Sequence, residues 1–462
     1  MASSIDVPRE QWATRLGFIL AAVGSAVGLG NIWRFPFQVG QEGGGAFLLI
    51  YLLFIVLIGF PAMLVEFVVG RRTERNPVGA LQKLGGGVWQ YVGWIFIATG
   101  FVILSYYSVV AGWTLRYTIL GLQGGYEADV EASAAQFGDV ASGLDAVFFH
   151  AIFMAAVIAI VALGIKQGIE LAVKVMVPTI IVITLGMAAY AFTLDGASEA
   201  YAYYLSPDFG LIAAEWQSIL PAAAGQAFFT LSLGMGVMIT YASYLGEDRN
   251  LAEDGAIIIS LDTLIAFITG LIVFPILFTA GLSPGDGGAG AIFVTLAAAF
   301  GDITFGWLLG AIFFATVAIA ALSSAISIME VVVSYLIDEK GIDRKTATLG
   351  IGTGMFLLGI PSAMDLVLLD LFDGFADGIL LVLGGLLLAV FVGWITGDFG
   401  REELQKGIGD LGVYGDAWIW FVRVPVILAL IAALVLGIFG YYDFLTSMEE
   451  GEGFAWWIEE NF

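Results

Sequence analysis

Residues 24–36 read GSAVGLGNIWRFP, and this stretch interrupts the first apolar segment of the chain near its middle. Three glycines and the polar side chains of Ser25 and Asn31 stand where a lipid-facing helix would carry leucine or isoleucine. Glycine lowers the cost of unwinding a helix, but unwound backbone at membrane depth is tolerated only where it is buried in protein or lines a cavity. The stretch therefore predicts an interrupted membrane helix whose free carbonyl groups face a cation or substrate site.

A second stretch of the same kind lies half a chain away. Residues 225–236 read GQAFFTLSLGMG and again place glycines and hydroxyl groups near the middle of an apolar segment. Small residues also permit close helix packing, but that alternative does not explain the polar residues that accompany them. The two stretches fall in the first and sixth predicted spans, which begin the two halves of a possible five-helix repeat. Paired interruptions of this kind predict a binding site near the middle of the membrane.

The whole chain has the composition of a membrane protein. Hydrophobic residues make up 60% and charged residues 13% of its 462 residues, and its mean hydropathy is +0.94. Soluble domains have roughly 45–50% apolar and roughly 25% charged residues. Apolar runs near the ~20 residues that cross a bilayer predict eleven spans. They start near residues 13, 46, 90, 146, 169, 216, 254, 304, 345, 364 and 420. The polar segment 1–12 lacks the pattern of a secretory signal, so we expect the first span to be retained.

The distribution of basic residues predicts the orientation. Four segments, residues 123–144, 195–215, 281–302 and the tail after Tyr441, contain no lysine or arginine. If the N-terminus is cytoplasmic, these segments are external, and nearly all basic residues lie inside, as the positive-inside rule requires. An odd number of spans then places the C-terminus outside the cell, and we expect a multi-pass protein of the plasma membrane.

Charge, cysteine and histidine content exclude several kinds of chemistry. The formal net charge is -24, with acidic residues scattered over loops and ends, which we interpret as adaptation to a high-salt host. That hypothesis predicts a fold that is stable in molar salt and lost in low salt. The chain has no cysteine, so disulfides and thiolate sites are excluded. His150, its only histidine, falls at the predicted outer start of a helix, where we expect an interfacial position.

The two interrupted stretches belong to longer motifs that resemble the neurotransmitter:sodium symporter family. The first runs from residues 12–17 (WATRLG) through 28–36 (GLGNIWRFP) to 43–47 (GGGAF). The second comprises residues 226–232 (QAFFTLS) with 240–244 (TYASY). The resemblance extends from Trp12 to about Trp394. In the two motifs, the residue at nearly every position is similar to the family signature.

The resemblance implies an all-α polytopic membrane protein with the LeuT fold. In that fold two inverted five-helix repeats carry broken helices 1 and 6, and here one additional helix would follow. The expected divisions are a cytoplasmic N-terminal segment (1–12), the first repeat (13–195), the second repeat (215–397), and a cytoplasmic loop, eleventh span and external tail (398–462). The implied function is sodium-coupled import of a small amino acid by alternating access.

By position, the resemblance also implies two sodium sites built from oxygen ligands. The first, completed by the substrate carboxylate, would use Ala26, Asn31, Thr230 and Asp262. The second would use Gly24, Val27, Ala320, Ser323 and Ser324. Independently of the family, Ala320, Ser323, Ser324 and Ile328 follow helical spacing and face one way. Back-bonding of the two serines to their own helix is the alternative.

The implied substrate pocket lies between the interrupted stretches. Its residues would be Ala26, Gly28, Gly30, Ile103, Tyr107, Phe229, Thr230, Ser232, Met235, Ser324 and Ile328. Amine-transporting members of the family carry an aspartate where this chain has Gly28, so glycine favours a substrate that brings its own carboxylate. The largely apolar lining predicts a neutral, hydrophobic or aromatic amino acid. Met235, where LeuT has phenylalanine, is flexible enough to admit larger side chains, although ordinary core packing would also suit it.

The chain departs from the family at the position of its chloride site. Tyr51 and Gln226 match chloride-dependent members, but the serine of the seventh helix aligns with Ala266, and the nearby asparagine is Asp262. A carboxylate buried in a membrane is costly and is retained for function. We therefore expect Asp262 to supply the negative charge that chloride brings elsewhere, and transport to be independent of chloride.

Alignment with the family also predicts the gates. Arg34 would pair with Asp373 on the outer side, and Arg9 with Asp338, flanked by Ser243 and Tyr244, on the inner side. Exposed ion pairs contribute only about 0–1 kcal/mol, which suits contacts that break in each cycle. Gly168 and Pro178 match a motif that lets the fifth helix unwind during inward release, because proline lacks a backbone donor.

Other classes remain as alternatives at this point. An ion channel also uses carbonyl-lined broken helices, and another small zwitterion would satisfy the same cation sites. A non-transporting receptor would share the binding residues but not need both gates. A membrane enzyme is disfavoured, since the chain contains no HExxH, GxSxG or GxxxxGK[ST] motif. The sequence leaves open the exact amino acid, the sodium stoichiometry, proton counter-transport and the oligomeric state.

Overall fold

The computed structural model of the chain describes residues 10–284, 290, 292–396, 398–448 and 453–461. Within these ranges the elements are helices joined by turns and short loops, and no strand occurs. Nine described helices are long and apolar enough to cross a membrane, and a pair bent by 49° makes a tenth. The sixth predicted span consists of two helices that are each too short to cross alone. Every predicted span thus falls on a helix or on a pair of helices.

We number the spans 1 to 11 along the chain. Their bounds are Arg15–Ala26 with Gly30–Gln41, Gly45–Thr73, Gln90–Leu122, Leu144–Val161, Ile165–Ala191, Trp216–Thr230 with Val237–Ala242, Leu251–Thr279, Gly306–Lys340, Arg344–Met364, Leu366–Ile395 and Gly412–Thr446. Spans 3 and 8 pack along much of their length against each other and form the centre of the bundle. Their most apolar windows are 78% buried, whereas that of span 11 is 17% buried, so span 11 lies at the periphery.

Within the described residues, seven shorter helices lie outside the spans, six in the connections and one in the tail after span 11. They are Pro77–Gly85, Val130–Ala141, Ala197–Leu205, Phe209–Ala214, Thr295–Asp302, Phe399–Gln405 and Phe454–Asn461. Several of them begin with an aspartate or asparagine cap, as at Asp129, which accepts a hydrogen bond from Ala132 N at 3.0 Å. The loops expected on the outer side are therefore partly helical.

One loop helix is held to the bundle by a buried ion pair. Arg71 at the end of span 2 donates from Nε to Glu403 Oε1 at 2.7 Å, and neither side chain is exposed to solvent. Nearby, Lys406 donates to Glu247 Oε1 at 2.7 Å, and this contact lowers the pKa of the Glu247 carboxyl group. A buried charge is stable only when paired, so Arg71 and Glu403 fix the loop between spans 10 and 11 against span 2.

His150 does not occupy the interfacial position expected from its place in the sequence. The side chain is fully buried in span 4, with Nδ1 3.0 Å from Ser108 Oγ and Nε2 donating to the Phe356 carbonyl at 3.0 Å. Span 4 begins at Leu144, so His150 lies almost two turns inside the helix. The residue connects spans 3, 4 and 9, which is a structural role that hydropathy alone does not reveal.

Candidate transport site

The interruption of span 1 brings backbone close to Tyr107 and Ser324. The first half of the span ends at Ala26, and Gly28 follows in the gap. A Cβ atom on Gly28 would lie 2.4 Å from Ser324 Oγ and 2.9 Å from Tyr107 Oη, so only glycine fits. Leu29 N donates to Tyr107 Oη at 3.4 Å. Tyr107, one of the predicted pocket residues, therefore lies directly beside the interruption.

The interruption of span 6 covers residues 231–236. Gly234 and Gly236 adopt positive φ angles of 82° and 75°, and Ser232 does so at 52°, which is uncommon for a residue with a side chain. Ser232 Oγ donates to the Ser25 carbonyl at 2.8 Å. The unwound backbone of span 6 is thus tied to the unwound backbone of span 1, as a shared site requires.

Glu66 of span 2 holds the same interruption open and was not identified from the sequence. Its carboxylate accepts hydrogen bonds from Gly234 N at 2.8 Å, Met238 N at 3.1 Å and Ile239 N at 3.3 Å. These donors have no helical partner because they lie at the start of the second half of span 6. An acidic residue within the apolar run of span 2 was the signal that could have revealed this role.

Three of the residues predicted for the first sodium site lie within hydrogen-bond distance of one another. Asn31 Nδ2 donates to Asp262 Oδ1 at 2.8 Å and to Thr230 Oγ1 at 3.0 Å, and Thr230 Oγ1 donates to Asp262 Oδ2 at 3.1 Å. All three side chains are buried. Ala26, the fourth predicted member, ends the first half of span 1. The cluster offers hydroxyl and carboxylate oxygens, which suit a hard cation, and the Asn31 amide oxygen accepts from Gly28 N at 3.1 Å.

The residues predicted for the second sodium site also converge. Ser324 Oγ lies 2.8 Å from the Ser25 carbonyl and 3.4 Å from the carbonyls of Gly24 and Val27. Ser323 Oγ donates to the carbonyl of Ala320 at 2.8 Å, within its own helix. Ser323 thus bonds back to its own helix and also contacts the Val27 carbonyl of span 1 at 3.5 Å, whereas these contacts of Ser324 all reach across to span 1. Together the five predicted residues form a buried set of carbonyl and hydroxyl oxygens.

The remaining predicted pocket residues lie on the same helices or in the interruptions: Ile103 one turn before Tyr107, Ile328 one turn after Ser324, and Met235 within residues 231–236. Ile103, Met235 and Ile328 are buried, and the ring of Phe229 packs against the backbone of Gly30, where a Cβ atom would lie 3.1 Å from it. The surroundings of the site are therefore apolar, with polar groups confined to the interruptions. That composition is typical of a pocket that binds a small molecule by its polar end.

The outer ion pair involves a different carboxylate from the one predicted. Arg34 Nη1 donates to Asp377 Oδ2 at 2.8 Å, while the guanidinium lies 4.4 Å from the centre of the Phe229 ring. The prediction of Asp373 as partner is corrected accordingly. Alignment with the family points to Asp373 and does not separate it from Asp377, which lies four positions later on the same face of the helix. Asp373 remains near enough to interact electrostatically with Arg34.

The predicted inner gate is only partly described. Arg9 lies outside the described residues, and Asp338 accepts hydrogen bonds from the backbone and side-chain nitrogens of Asn76, each at 3.2 Å. Ser243 Oγ donates to the carbonyl of Thr240 within its own turn. The prediction of an Arg9–Asp338 pair therefore stays a prediction.

Tyr244 leads to an ion pair that the sequence did not reveal. Its hydroxyl donates to Glu330 Oε1 at 2.8 Å, and Arg344 donates to both oxygens of that carboxylate, at 2.7 Å and 3.1 Å. Glu330 is fully buried in span 8. Two arginine contacts to one carboxylate give a strong and directional pair, which closes this end of the bundle between spans 6, 8 and 9.

Span 5 is helical throughout in this structure. Gly168 lies in a π-helical turn, Ile165–Ile169, and Pro178 lies inside the α-helix Glu170–Ala191. A Cβ atom on Gly168 would lie 2.1 Å from the carbonyl oxygen of Ile160, so the close approach requires glycine. Neither residue interrupts the span here, and the predicted unwinding stays a prediction.

Two interrupted helices that meet over buried oxygen clusters are the arrangement found in ion-coupled membrane transporters. The comparisons with known proteins agree. The chain belongs to the sodium:neurotransmitter symporter family, whose model matches residues 9–127 and 130–457. The family resemblance found in the sequence motifs is thereby confirmed.

Individual relatives support the same assignment. A sodium-dependent transporter of Bacillus subtilis, YhdH, is 35% identical over 454 residues, covering 94% of this chain and 98% of its own. A sodium- and chloride-dependent GABA transporter of Drosophila melanogaster, ine, is 25% identical and covers 94% of this chain. The crystal structure of MhsT in complex with L-phenylalanine matches this structure with a TM-score of 0.84. The two sequences are 41% identical, and the match covers 93% of this chain and 100% of the MhsT chain. The chain has the expected LeuT fold and is a multi-pass, sodium-dependent transporter, not an enzyme.

Proposed function

We propose that the protein is a symporter that uses two sodium ions to import a neutral, hydrophobic or aromatic amino acid. The observation that carries this proposal is the glycine at position 28, where a Cβ would already lie 2.4 Å from Ser324 Oγ and 2.9 Å from Tyr107 Oη. Position 28 therefore supplies no carboxylate to bind an amine. A substrate that brings its own carboxylate would place it between Tyr107 Oη and the Asn31 cluster.

The apolar surroundings support the choice of substrate side chain. Ile103, Met235 and Ile328 are buried beside the interruptions and offer no hydrogen bonds to a polar side chain. MhsT, at 41% identity, was crystallised with L-phenylalanine, which is an amino acid of the proposed class. Both observations favour leucine, phenylalanine or tryptophan over glycine or a charged amino acid.

Two sodium ions would supply enough driving force for accumulation. A zwitterionic amino acid adds no net charge, so each ion carries one charge inward, which yields ~2.3 kcal/mol per 100 mV of membrane potential. A tenfold sodium gradient adds ~1.4 kcal/mol per ion. Coupling requires both oxygen clusters to hold sodium before the ion pairs at either end open or close. The position of the clusters at the two interruptions permits this order.

Chloride independence would follow from Asp262. The carboxylate lies in the first oxygen cluster, where Asn31 and Thr230 donate to it. Buried polar atoms of the neighbouring Tyr51, Gln226 and Thr263 have no hydrogen-bond partner among the described residues. We infer that these groups face the position that an anion takes in chloride-dependent members, and that the fixed charge of Asp262 replaces that anion.

The proposed orientation follows the charge distribution, with a cytoplasmic N-terminus, an external C-terminus and a location in the plasma membrane. The Arg34–Asp377 pair would then close the outer path, and the Glu330–Arg344 pair, with the predicted Arg9–Asp338 pair, the inner one. Alternate opening of these pairs is the simplest way to expose the oxygen clusters to one side at a time.

Uptake into proteoliposomes tests the proposal. Labelled leucine, phenylalanine and tryptophan are offered under an inward sodium gradient or an equal potassium gradient, at the same high ionic strength, with labelled glycine as control. Sodium-dependent accumulation of the three large amino acids but not of glycine is expected. Accumulation of a different zwitterion would redirect the substrate, and sodium current without accumulation of any solute would indicate a channel.

A further inference from the structure

The chain folds back on itself after span 11. Span 11 ends at Thr446, and a further helix, Phe454–Asn461, which we name the tail helix, returns towards the bundle. Its Trp456 N donates to the Ser447 carbonyl at 3.2 Å, and a Cβ atom on Gly453 would overlap that carbonyl oxygen, so the return requires glycine. The tail helix therefore packs against spans 10 and 11 instead of extending away from them.

One hydrogen bond joins the tail helix to the start of span 10. Trp457 Nε1 donates to Asp365 Oδ2 at 2.8 Å, while Asp365 Oδ1 accepts from Val367 N at 2.8 Å. Asp365 stands at the turn between spans 9 and 10, and an aspartate cap supplies an acceptor to an amide that has no helical partner. A single carboxylate thus caps span 10 with one oxygen and holds the tail helix with the other.

A series of aromatic rings joins the tail helix to span 10 at a second level. In the order Trp457, Phe454, Phe444, Tyr441 and Phe375, the centres of successive rings are 5.7, 6.5, 6.2 and 6.0 Å apart. Aromatic pairs at such distances attract each other beyond the effect of their buried area. The first two rings belong to the tail helix, the next two to span 11 and the last to span 10. The series reaches span 10 about three helical turns beyond its start.

This second level is that of the outer ion pair. Phe375 directly precedes the π-helical turn Ala376–Leu381, in which the Asp377 carboxylate lies 2.8 Å from Arg34 Nη1. Asp377 and Tyr441 line the same cavity between spans 10 and 11. Single π-helical turns are rare and occur often at functional sites. The contacts of the tail helix thus lie before and beside the turn that carries the gate carboxylate.

Glycines let span 11 approach span 10 closely at this level. A Cβ atom on Gly374 would lie 2.9 Å from Tyr441 Cδ2, and one on Gly437 of span 11 would overlap the carbonyl group of Gly378. Gly378 directly follows Asp377 in the chain, and Gly374 lies about one turn earlier. Because closely packed backbones leave little room for sliding, a shift of span 10 at Asp377 has to involve span 11, to which the tail helix is connected.

We propose that the tail helix positions the outer ion pair. By fastening the start of span 10 to the end of span 11, it holds the Asp377 carboxylate within reach of Arg34, and Trp457 and Asp365 are positioning residues for closure of the outer path. A partly exposed ion pair contributes little by itself, so a small displacement of one carboxylate decides whether the pair forms. The inference rests on the proposed role of this pair as a gate. The alternative is that the tail helix only stabilises the folded protein.

A reporter cysteine at position 103 measures opening of the outer path. The chain contains no cysteine, so Ile103→Cys adds the sole thiol. Ile103 is buried one turn before Tyr107, which lies beside Leu29, whereas Arg34 lies further along span 1 towards the outer side. The rate of reaction with a maleimide is measured on the purified full-length protein in sodium. This measurement needs neither an amino acid nor a gradient.

A second reporter detects general loosening of the protein. Val173 of span 5 is fully buried, and its Cγ1 lies 3.4 Å from the position of a Cβ on Gly24, beside the second oxygen cluster. Val173→Cys is built as a separate single-cysteine protein and treated with the same reagent. Faster reaction of Ile103→Cys alone reports opening at the outer pair, whereas faster reaction of both thiols reports loss of packing throughout.

The test removes the hydrogen bond between Trp457 and Asp365. We expect Trp457→Phe, which keeps a ring beside Phe454, to raise the labelling rate of Ile103→Cys about fivefold, because a hydrogen bond to a carboxylate is lost and part of its contribution acts on the ion pair. Asp365→Asn still caps span 10 but offers Trp457 no second oxygen, and it should give a similar rise. The two changes together should give no further rise, since both remove the same bond.

Trp456→Phe is the matched control. It makes the same exchange at the neighbouring position of the tail helix, where the indole makes no hydrogen bond to another described residue, and it should label like the parent. Asp377→Ala removes the gate carboxylate and should raise the rate of Ile103→Cys by itself. In that background Trp457→Phe should add nothing, because the tail helix acts by placing this carboxylate.

Four results would overturn the inference: no rise in Trp457→Phe, an equal rise of the Val173→Cys rate, an equal rise in Trp456→Phe, or a rise in Trp457→Phe that persists undiminished with Asp377→Ala. The last would show that the tail helix supports span 10 without acting through the ion pair. Failure of amino acid uptake in proteoliposomes would refute the proposed function and leave the labelling result intact. The two tests are therefore separable.

Discussion

The substitution Gly28→Ala tests whether the interruption of span 1 forms the substrate site. The added Cβ would lie 2.4 Å from Ser324 Oγ and 2.9 Å from Tyr107 Oη, both closer than real Cβ contacts. Ser324 must then rotate away from the Ser25 carbonyl, which it contacts at 2.8 Å, and Tyr107 must retreat. Both movements displace groups that the proposed substrate and second sodium ion need.

The size of the effect follows from these two displacements. Overpacking a buried site costs about 1–3 kcal/mol, and one lost hydrogen bond adds about 0.5–1.5 kcal/mol. A combined cost of about 1.5–4.5 kcal/mol for returning both groups to their binding positions corresponds to an affinity loss of about 10-fold to 2,000-fold. We expect KM for sodium-driven leucine uptake to rise within that range, or uptake to be lost.

Gly225→Ala is the matched control, since it adds the same atom in span 6, where no other atom lies within 4 Å of the new Cβ. It should transport like the parent protein. Both variants are compared by thermal unfolding in detergent, so that a misfolded protein is recognised. An unchanged KM in a folded Gly28→Ala variant would refute the assignment of this gap as the substrate site.

Three further predictions concern the carboxylates around the site. Asp262→Asn should abolish uptake in chloride-free buffer or make it respond to added chloride; normal chloride-free uptake would contradict the proposed role of its charge. Asp377→Asn should weaken the outer ion pair, so that a cysteine on the inner side of this pair is labelled faster by a reagent added from outside. The increase should be larger than in Asp373→Asn. A larger increase in Asp373→Asn would favour the family alignment over the observed contact. Glu66→Gln should lower the unfolding temperature and the uptake rate, because a single amide oxygen replaces two carboxylate oxygens that accept hydrogen bonds from three backbone amides. An unchanged unfolding temperature and uptake rate would show that the interruption of span 6 does not depend on Glu66.

Much of the fold could be predicted because the signals are local. Each span is a run of apolar residues, and the interruptions are marked by glycine and polar residues within one such run, so hydropathy places them without knowledge of the neighbours. The last span shows the limit of the method: its start was expected near residue 420, whereas the structure begins this helix at Gly412. The predicted cation residues also converge, because the family motifs contain most of them.

The unpredicted parts of the site depend on contacts between distant residues. Glu66 and Gly234 are 168 positions apart, and Arg34 and Asp377 are 343 apart. Nothing in the sequence near Asp373 or Asp377 shows which of them pairs with Arg34, because residues four apart lie on the same face of a helix. The buried pair of Glu330 and Arg344 was missed for the same reason, although a charged residue in an apolar span is a usable signal.

The sequence by itself determined the class of molecule, the number of its spans, its two interruptions and the residue types that gather at them, since these follow from composition and from short motifs. The tertiary structure alone decided which carboxylates are paired, which backbone amides they cap and how the tail helix is fastened to span 10. Those choices depend on which atoms come within about 3 Å once the helices pack, where hydrogen bonds and ion pairs act.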